Sequence, residues 1–163
     1  MVRTYPKFDS WWEHHFTEVL MLECLVIGDS IASGIAQSRK KCVEIAEVGI
    51  DSTKWSKKFS LDSRVSSPYK VVVISLGTND WKIDNLSNNL ADIRDKIKGE
   101  MVVWILPSWT IKPEQRKRVE LVASRYGDRT LDISNKVGYD AVHPKDMSAY
   151  SEIADQAFRP RLK

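Results

Sequence analysis

The run Lys70–Leu76 (KVVVISL) constrains the fold of this chain more than any other segment. It is almost continuously apolar and rich in β-branched residues, as is typical of a strand covered on both faces. Four further runs of this kind lie along the chain: Glu23–Gly28, Cys42–Val48, Met101–Leu106 and Arg129–Ile133. Because longer amphipathic stretches separate them, the sequence predicts an α/β fold with a five-stranded parallel sheet and helices on both faces.

Helical spacing and helix-end signals occupy the segments between the predicted strands. The clearest helix is Asn85–Lys98, whose leucines and isoleucines recur every three or four residues, with Gly99 as its predicted C-cap. Pro113–Tyr126 begins with proline and is followed by Gly127, which are the usual signals of a helix start and end. The other predicted helices are Ile31–Ser38, the short Lys54–Phe59 and Met147–Phe158.

Residues 1–22 are predicted to form a helical extension that precedes a domain of residues 23–163. Phe8, Trp12, Phe16 (or His15) and Val19 fall at helical spacing, so the extension is predicted to pack on the domain. In a second interpretation Met21 is an alternative start, and the extension is dispensable. No run reaches the ~20 apolar residues of a membrane span, and residues 11–15 (WWEHH) interrupt any leader-like core. We therefore expect a cytoplasmic protein, or one released without a signal peptide.

The charge, cysteine and histidine content of the chain limits which ligands and crosslinks we expect. The chain has 163 residues and a net charge of +3 that is spread along its length, so we expect no nucleic-acid partner. Cys24 and Cys42 are predicted to be buried free thiols, although a disulfide is conceivable if their strands are neighbours. His14 and His15 are adjacent rather than four residues apart on one helix face, so we predict no metal site.

The residues suited to chemistry come directly after the predicted strands, where parallel α/β sheets bind their ligands. Gly28-Asp29-Ser30 follows the first strand, and Ser30 lies where a helix begins. Free backbone N–H groups and the helix dipole favour a developing anion at such a position, as a nucleophilic serine requires. The alternative is an ordinary helix N-cap, which the tripeptide considered alone would favour.

Two further blocks strengthen the nucleophile interpretation. Asp140 and His143 lie three apart in the loop after the last strand, so the carboxylate can hold one imidazole nitrogen while the other faces a nucleophile. Asn79, in the segment Gly77–Asp80, follows the most hydrophobic strand and offers an amide suited to an oxyanion hole. A chance surface loop and a plain turn are the structural alternatives for these two blocks.

Together the Gly-Asp-Ser, Gly-Thr-Asn-Asp and Asp-x-x-His blocks resemble the SGNH (GDSL-like) hydrolase family, over nearly the whole chain from Glu23 to Phe158. The resemblance implies a flavodoxin-like three-layer α/β/α fold and ester hydrolysis through an acyl-enzyme, with no cofactor. By similarity Ser30 attacks, His143 transfers the proton and Asp140 orients His143. The Ser30 N–H and Asn79 would then bind the oxyanion.

The block after the second strand departs from the family pattern, in which a glycine N–H usually serves as a further oxyanion donor. If Ile50 matches the apolar residue that the family often has there, Ser52 takes the donor position and Gly49 only eases the turn. If the loop is shifted, Gly49 is the donor. Both assignments stay open, with Ser52 preferred.

The predicted substrate-binding residues are Asp29, Trp55, Trp81 and Trp109, and each tryptophan follows a strand end. Aromatic rings there could stack on sugar faces or hold an acyl chain, although packing in the core is an equally good interpretation for any one of them. A chain with no room for a large lid suits short acyl groups, such as acetyl on a carbohydrate. The alternatives are a long-chain esterase or thioesterase and a non-catalytic carbohydrate-binding module. A nucleotide-binding domain is disfavoured because Asp29 would repel phosphate.

Overall fold

The computed structural model describes residues 21–160, in which five strands alternate with five helices. The strands are β1 (Leu22–Gly28), β2 (Val43–Ala46), β3 (Pro68–Ser75), β4 (Lys98–Ile105) and β5 (Arg129–Leu131). The helices are α1 (Ser30–Ser38), α2 (Ser52–Phe59), α3 (Leu86–Lys96), α4 (Pro113–Tyr126) and α5 (Met147–Phe158), and a 3₁₀ turn spans Ser134–Lys136.

All neighbouring strands are parallel, in the spatial order β2-β1-β3-β4-β5. This is the flavodoxin-like order, in which the chain reverses its direction of travel between β1 and β3. Gly28 and Ser75 are register partners at the carboxyl ends of these two strands. The predicted parallel sheet is confirmed, and the crevice between β1 and β3 is where such a fold binds its ligand.

Two hydrophobic cores, one on each face of the sheet, give the fold three layers. One core holds α1 and α5 against the sheet through Ile31, Ile35, Ile153, Val26, Val73 and Val103. The other holds α2, α3 and α4 through Trp55, Leu90, Ile93, Val119, Ile27, Val72 and Trp104. Because successive strand residues point to opposite faces, Val72 and Val73 enter different cores.

The glycine predictions at the helix ends have opposite outcomes. Gly127 does cap α4, with φ 66° and an N–H that donates to Ala123 and Ser124. Gly99 does not cap α3, because the chain is already extended at Ile97 and Gly99 lies within β4. A Cβ at Gly99 would come within 2.9 Å of Val72 Cγ2, so close packing between strands accounts for the glycine.

The prediction of free thiols is wrong, because Cys24 and Cys42 form a disulfide. The sheet register explains the pairing: Leu25 lies opposite Val43, so the residues immediately before them face each other across neighbouring strands. Their Cα atoms are 4.6 Å apart. The disulfide lies toward the amino ends of β1 and β2, at the sheet edge opposite the one that carries Ser30.

The predicted extension at residues 1–22 falls almost wholly outside the described part of the chain, so its helix and its packing stay predictions. Within residues 21–160, no helix is long and apolar enough to cross a membrane.

Candidate active site

Ser30 owes its position to a sharp turn at the end of β1. Gly28 has φ 136°, and a Cβ there would lie 1.8 Å from the Ser75 carbonyl oxygen, so this close approach of β1 and β3 requires glycine. The Asp29 N–H then donates to that carbonyl at 2.9 Å, and α1 begins at Ser30. Asp29 supplies the N-cap, since its side chain accepts from the Ile31 N–H at 3.0 Å. The Ser30 hydroxyl is therefore free for another partner.

That partner is His143, in the loop between β5 and α5. Ser30 Oγ lies 2.8 Å from His143 Nε2, and His143 Nδ1 lies 2.6 Å from Asp140 Oδ2. Because an ionised carboxylate only accepts, Nδ1 carries a proton and Nε2 can accept the serine hydroxyl. The structure thus brings the three predicted triad residues together in the order that nucleophilic catalysis requires.

Asp140 is held by its own loop. Its Oδ1 accepts the N–H groups of Val142 and His143, each at 2.9 Å, while Oδ2 faces the imidazole. Partial desolvation raises the pKa of Asp140, but the hydrogen bonds from His143 and from the two backbone groups outweigh it and lower the pKa to about 2. Ala141 takes φ 56°, a left-handed conformation that is costly for alanine and that closes the loop on its carboxylate.

The prediction that Asp29 binds substrate is wrong, because its side chain is buried beneath the site with 1% exposure. Oδ1 accepts from the Ile31 N–H and from Ser75 Oγ at 2.9 Å, and Oδ2 has no hydrogen-bond partner within residues 21–160. Burial raises its pKa to about 6, against the hydrogen bonds from Ser75 and from backbone N–H groups. Asp29 is thus a capping residue that substrate does not reach.

Asn79 lies in the loop after β3, the strand next to β1. Its Nδ2 donates to the Ile50 carbonyl at 3.1 Å, which fixes the plane of the side-chain amide. An amide nitrogen carries two hydrogens, so one donor is left for an oxyanion. The Ser30 N–H, in the first turn of α1, also has no partner within its helix. Both predicted donors thus keep a hydrogen available.

The preferred assignment of Ser52 as an oxyanion donor is wrong. Ser52 is fully buried, and its N–H donates to both carboxylate oxygens of Asp80, at 3.1 and 3.2 Å. Its hydroxyl donates to Asp80 as well, at 2.5 Å. Because the Ser52 N–H already serves an internal carboxylate, it has no hydrogen to offer a substrate.

Gly49 occupies the turn that leads into this segment. The Ile50 N–H donates to the Glu47 carbonyl at 3.3 Å, and Gly49 has φ 76°, as the third residue of a type II turn requires. Its glycine character thus serves the turn. Gly49 as the further oxyanion donor stays a prediction.

The three tryptophans predicted to ring the site divide into two groups. Trp55 is fully buried, and its Nε1 donates to the Ile45 carbonyl at 2.9 Å, so the prediction that it binds substrate is wrong. Trp81 and Trp109 are 85% and 60% exposed, and they follow β3 and β4 at the same edge of the sheet as Ser30. Lys112 Nζ lies 4.0 Å from the centre of the Trp81 ring. Trp109 lines a cavity of about 380 Å³ that is also lined by Val142, which lies between Asp140 and His143 in the chain.

Sequence reasoning missed two polar residues that support the site. The Ser75 hydroxyl donates a hydrogen bond to Asp29, and the Asp80 carboxylate accepts one from the Ser52 hydroxyl. Ser75 is a single hydroxyl in the apolar run Lys70–Leu76, and that isolation was the available signal. Tyr139 was also missed: it is fully exposed and lines an open cleft of about 690 Å³ beside Asp140 and His143.

No protein-family model and no curated protein sequence matches the chain. Solved structures do match its fold. A member of the lipolytic G-D-S-L family from Veillonella parvula is 18% identical, with a TM-score of 0.62, over 83% of this chain and 96% of that one. The catalytic domain of the peptidoglycan O-acetyltransferase OatA from Streptococcus pneumoniae is 17% identical, with a TM-score of 0.58, over 85% and 93%.

The aryl esterase of M. smegmatis is a third match, 15% identical, with a TM-score of 0.55, over 83% of this chain and 97% of its own. All three resemblances extend over most of both chains, so they concern the whole domain and not a shared fragment. The strand order, the two-sided helix layers and these neighbours agree: this chain has the fold of the SGNH (GDSL-like) lipolytic proteins.

Proposed function

We propose that this protein is a serine esterase in which Ser30, His143 and Asp140 form the catalytic triad. The contact that carries the proposal is the 2.8 Å separation of Ser30 Oγ and His143 Nε2, two residues that lie 113 positions apart in sequence. A non-catalytic module would have no need of this contact. The structurally similar aryl esterase of M. smegmatis supports an esterase function, since it shares this fold.

The chemistry follows from the positions of the protons. His143 Nε2 takes the Ser30 hydroxyl proton as Oγ bonds to the acyl carbon, and the Ser30 N–H and Asn79 amide stabilise the oxyanion. The alcohol leaves with the proton from Nε2, and Ser30 is acylated. Water then attacks the acyl carbon, gives its proton to Nε2 and releases the acid, and that proton returns to Ser30 Oγ. Asp140 keeps the imidazole in the tautomer that both steps use.

We further propose that the acyl group is short, with acetyl esters of a carbohydrate as the substrate. The clefts beside the triad loop are open, and exposed rings of Trp81, Trp109 and Tyr139 stand at the same edge of the sheet. Such rings can stack on sugar faces. The similar fold of a peptidoglycan O-acetyltransferase domain adds support for acetyl groups on a glycan.

The test compares hydrolysis of p-nitrophenyl acetate, p-nitrophenyl octanoate and acetylated xylan by the wild type and by Ser30→Ala. We expect acetyl esters to be preferred and Ser30→Ala to lose about 10⁴-fold or more in kcat. Ser33→Ala is the matched control, since Ser33 lies one turn along α1 and donates to Glu44 at 2.8 Å. Activity that survives in Ser30→Ala would refute the triad, and a preference for octanoate would refute the short acyl group.

The Cys24–Cys42 disulfide indicates the kind of cellular compartment in which the protein works. Disulfides persist in oxidising compartments and are rare in the cytosol. Of the two predicted locations, we infer that the protein works outside the cytosol, because Cys24 and Cys42 are paired.

A further inference from the structure

We propose that Ser52, Asp80 and Asn89 are positioning residues that clamp the oxyanion side of the active site. The inference rests on the proposed esterase function. It begins with the loops after β2 and β3, which two consecutive side chains bind together. Asn79 donates to the Ile50 carbonyl, and Asp80 accepts both the N–H and the hydroxyl of Ser52.

The Ser52–Asp80 contact is buried, and the clamp reaches into three helices. Ser52 is the first residue of α2, and Asp80 is 4% exposed. Asn89, on α3, donates to Ser52 Oγ at 3.2 Å and to Thr53 Oγ1 at 2.9 Å. Gln115, on α4, donates to the Asp80 carbonyl at 2.9 Å. The short loop that carries Asn79 is thus tied directly to α2 and α4, and through Ser52 to α3.

The clamp acts on catalysis through Asn79. Asn79 and Asp80 are adjacent in the chain, so a shift of the Asp80 backbone moves the Asn79 amide, and the Ile50 carbonyl that orients this amide belongs to the segment Ser52 anchors. An oxyanion donor works only if it already points to where negative charge develops. Loss of the clamp should therefore weaken stabilisation of the transition state more than binding of the ester.

The experiment measures kcat and KM for p-nitrophenyl acetate and the inhibition constant of phenylboronic acid, which forms a tetrahedral adduct on a nucleophilic serine. Ser52→Ala and Asp80→Asn should each lower kcat by about tenfold, with KM nearly unchanged, since small displacements of a catalytic group are costly. The inhibition constant should rise by a similar factor. The double variant should be no worse than Asp80→Asn alone, because both changes weaken the same contact between Ser52 and Asp80.

Asp51→Ala is the matched control. Asp51 caps the same end of α2 by accepting the Lys54 N–H at 2.8 Å, but none of its hydrogen bonds reaches Asn79 or Asp80. It should keep the wild-type kcat. If Ser52→Ala and Asp80→Asn match Asp51→Ala, or if their effects multiply in the double variant, the clamp is refuted.

Asn89→Ala provides a milder variant in case Asp80→Asn does not fold. Asn89 is only half-buried, and the substitution removes only hydrogen bonds that its amide donates, such as the one to Ser52 Oγ. It should lower kcat about threefold, and an unchanged kcat would refute the proposal. A wild type with no Ser30-dependent esterase activity would instead refute the esterase function itself, so the two failures are distinguishable.

Discussion

The Asp29 carboxyl group lies directly before the proposed nucleophile and has almost no contact with water. It caps α1 and accepts from Ser75, which ties the start of the helix to the end of β3. Its second oxygen has no hydrogen-bond partner among the described residues. Burial therefore dominates, and the pKa of Asp29 rises from 3.8 to about 6.

This raised pKa predicts how stability depends on pH. Folded protein binds the Asp29 proton more tightly than unfolded protein, so the contribution of Asp29 to stability is largest below pH 4 and is lost as the pH rises through 6. Asp29→Asn has no such proton. The wild-type unfolding free energy should fall relative to that of Asp29→Asn between pH 4 and 7, by on the order of 2–3 kcal/mol.

Urea denaturation of both proteins at several pH values measures this difference. Asp146→Asn is the control for replacing a charged helix cap by a neutral one, because Asp146 caps α5 from an exposed position by accepting the Ala149 N–H at 2.8 Å. A difference between wild type and Asp29→Asn that stays constant from pH 4 to 7, or that changes in the opposite direction, would contradict the prediction.

Among the elements, β1 and β2 are joined covalently by the Cys24–Cys42 disulfide, at the end of the sheet away from Ser30. A crosslink stabilises mainly by restricting the unfolded chain, and these cysteines are 18 residues apart. Replacing both by alanine should lower the unfolding free energy by about 3 kcal/mol. Because Ser30 and His143 lie at the other edge, kcat for p-nitrophenyl acetate should be unchanged.

Thermal and urea unfolding with and without dithiothreitol measures this effect. Reductant should destabilise the wild type and leave the double-alanine variant unaffected, which separates loss of the crosslink from loss of sulfur packing. Equal sensitivity of both proteins to dithiothreitol would contradict the prediction.

The sequence predicted the central elements better than their ends and pairings. Lys70–Leu76 revealed β3 because its composition reflects burial on both faces. The end of β2 was not predictable. The predicted strand ran to Val48, but the turn around Gly49 begins at Glu47, so β2 stops pairing with β1 after Ala46. The disulfide was missed because it depends on which strands become neighbours, a property of the whole topology.

The site shows the same division. The placement of Ser30, Asn79, Asp140 and His143 at one edge of the sheet was predictable, because each follows a strand of a parallel sheet. Ser52 was misassigned because the availability of its N–H depends on Asp80, 28 residues later. Pairings of this kind are settled by tertiary contacts that no local pattern encodes.

At the scale of the whole molecule, the exposed apolar side chains of residues 21–160 concentrate at the sheet edge that carries the proposed triad. Those in the loops after strands, or at the start of α5, are Val48, Trp81, Trp109, Ile111, Tyr139 and Met147. A folded protein rarely gathers exposed aromatics at one edge unless a ligand or partner covers them. This distribution suits a substrate larger than the ester group itself.

A variant series tests this surface. Trp81→Ala and Trp109→Ala should lower kcat/KM for acetylated xylan about three- to tenfold more than kcat/KM for p-nitrophenyl acetate, since each ring contributes about 0.5–1.5 kcal/mol of stacking. Leu61→Ala is the control, because Leu61 is 94% exposed but follows α2, away from this edge. Equal losses on both substrates would contradict a role in holding a sugar chain.

The distance between Ser30 and His143 along the chain has a consequence for a newly made protein. Ribosomes add about 5–20 residues per second, so the serine exists for on the order of ten seconds before its base is synthesised. A nascent chain can thus form β1 and expose the hydroxyl without being able to cleave an ester. The proposed ester cleavage requires β5 to have joined the sheet, so the onset of activity during translation would report that β5 and the loop carrying His143 are in place.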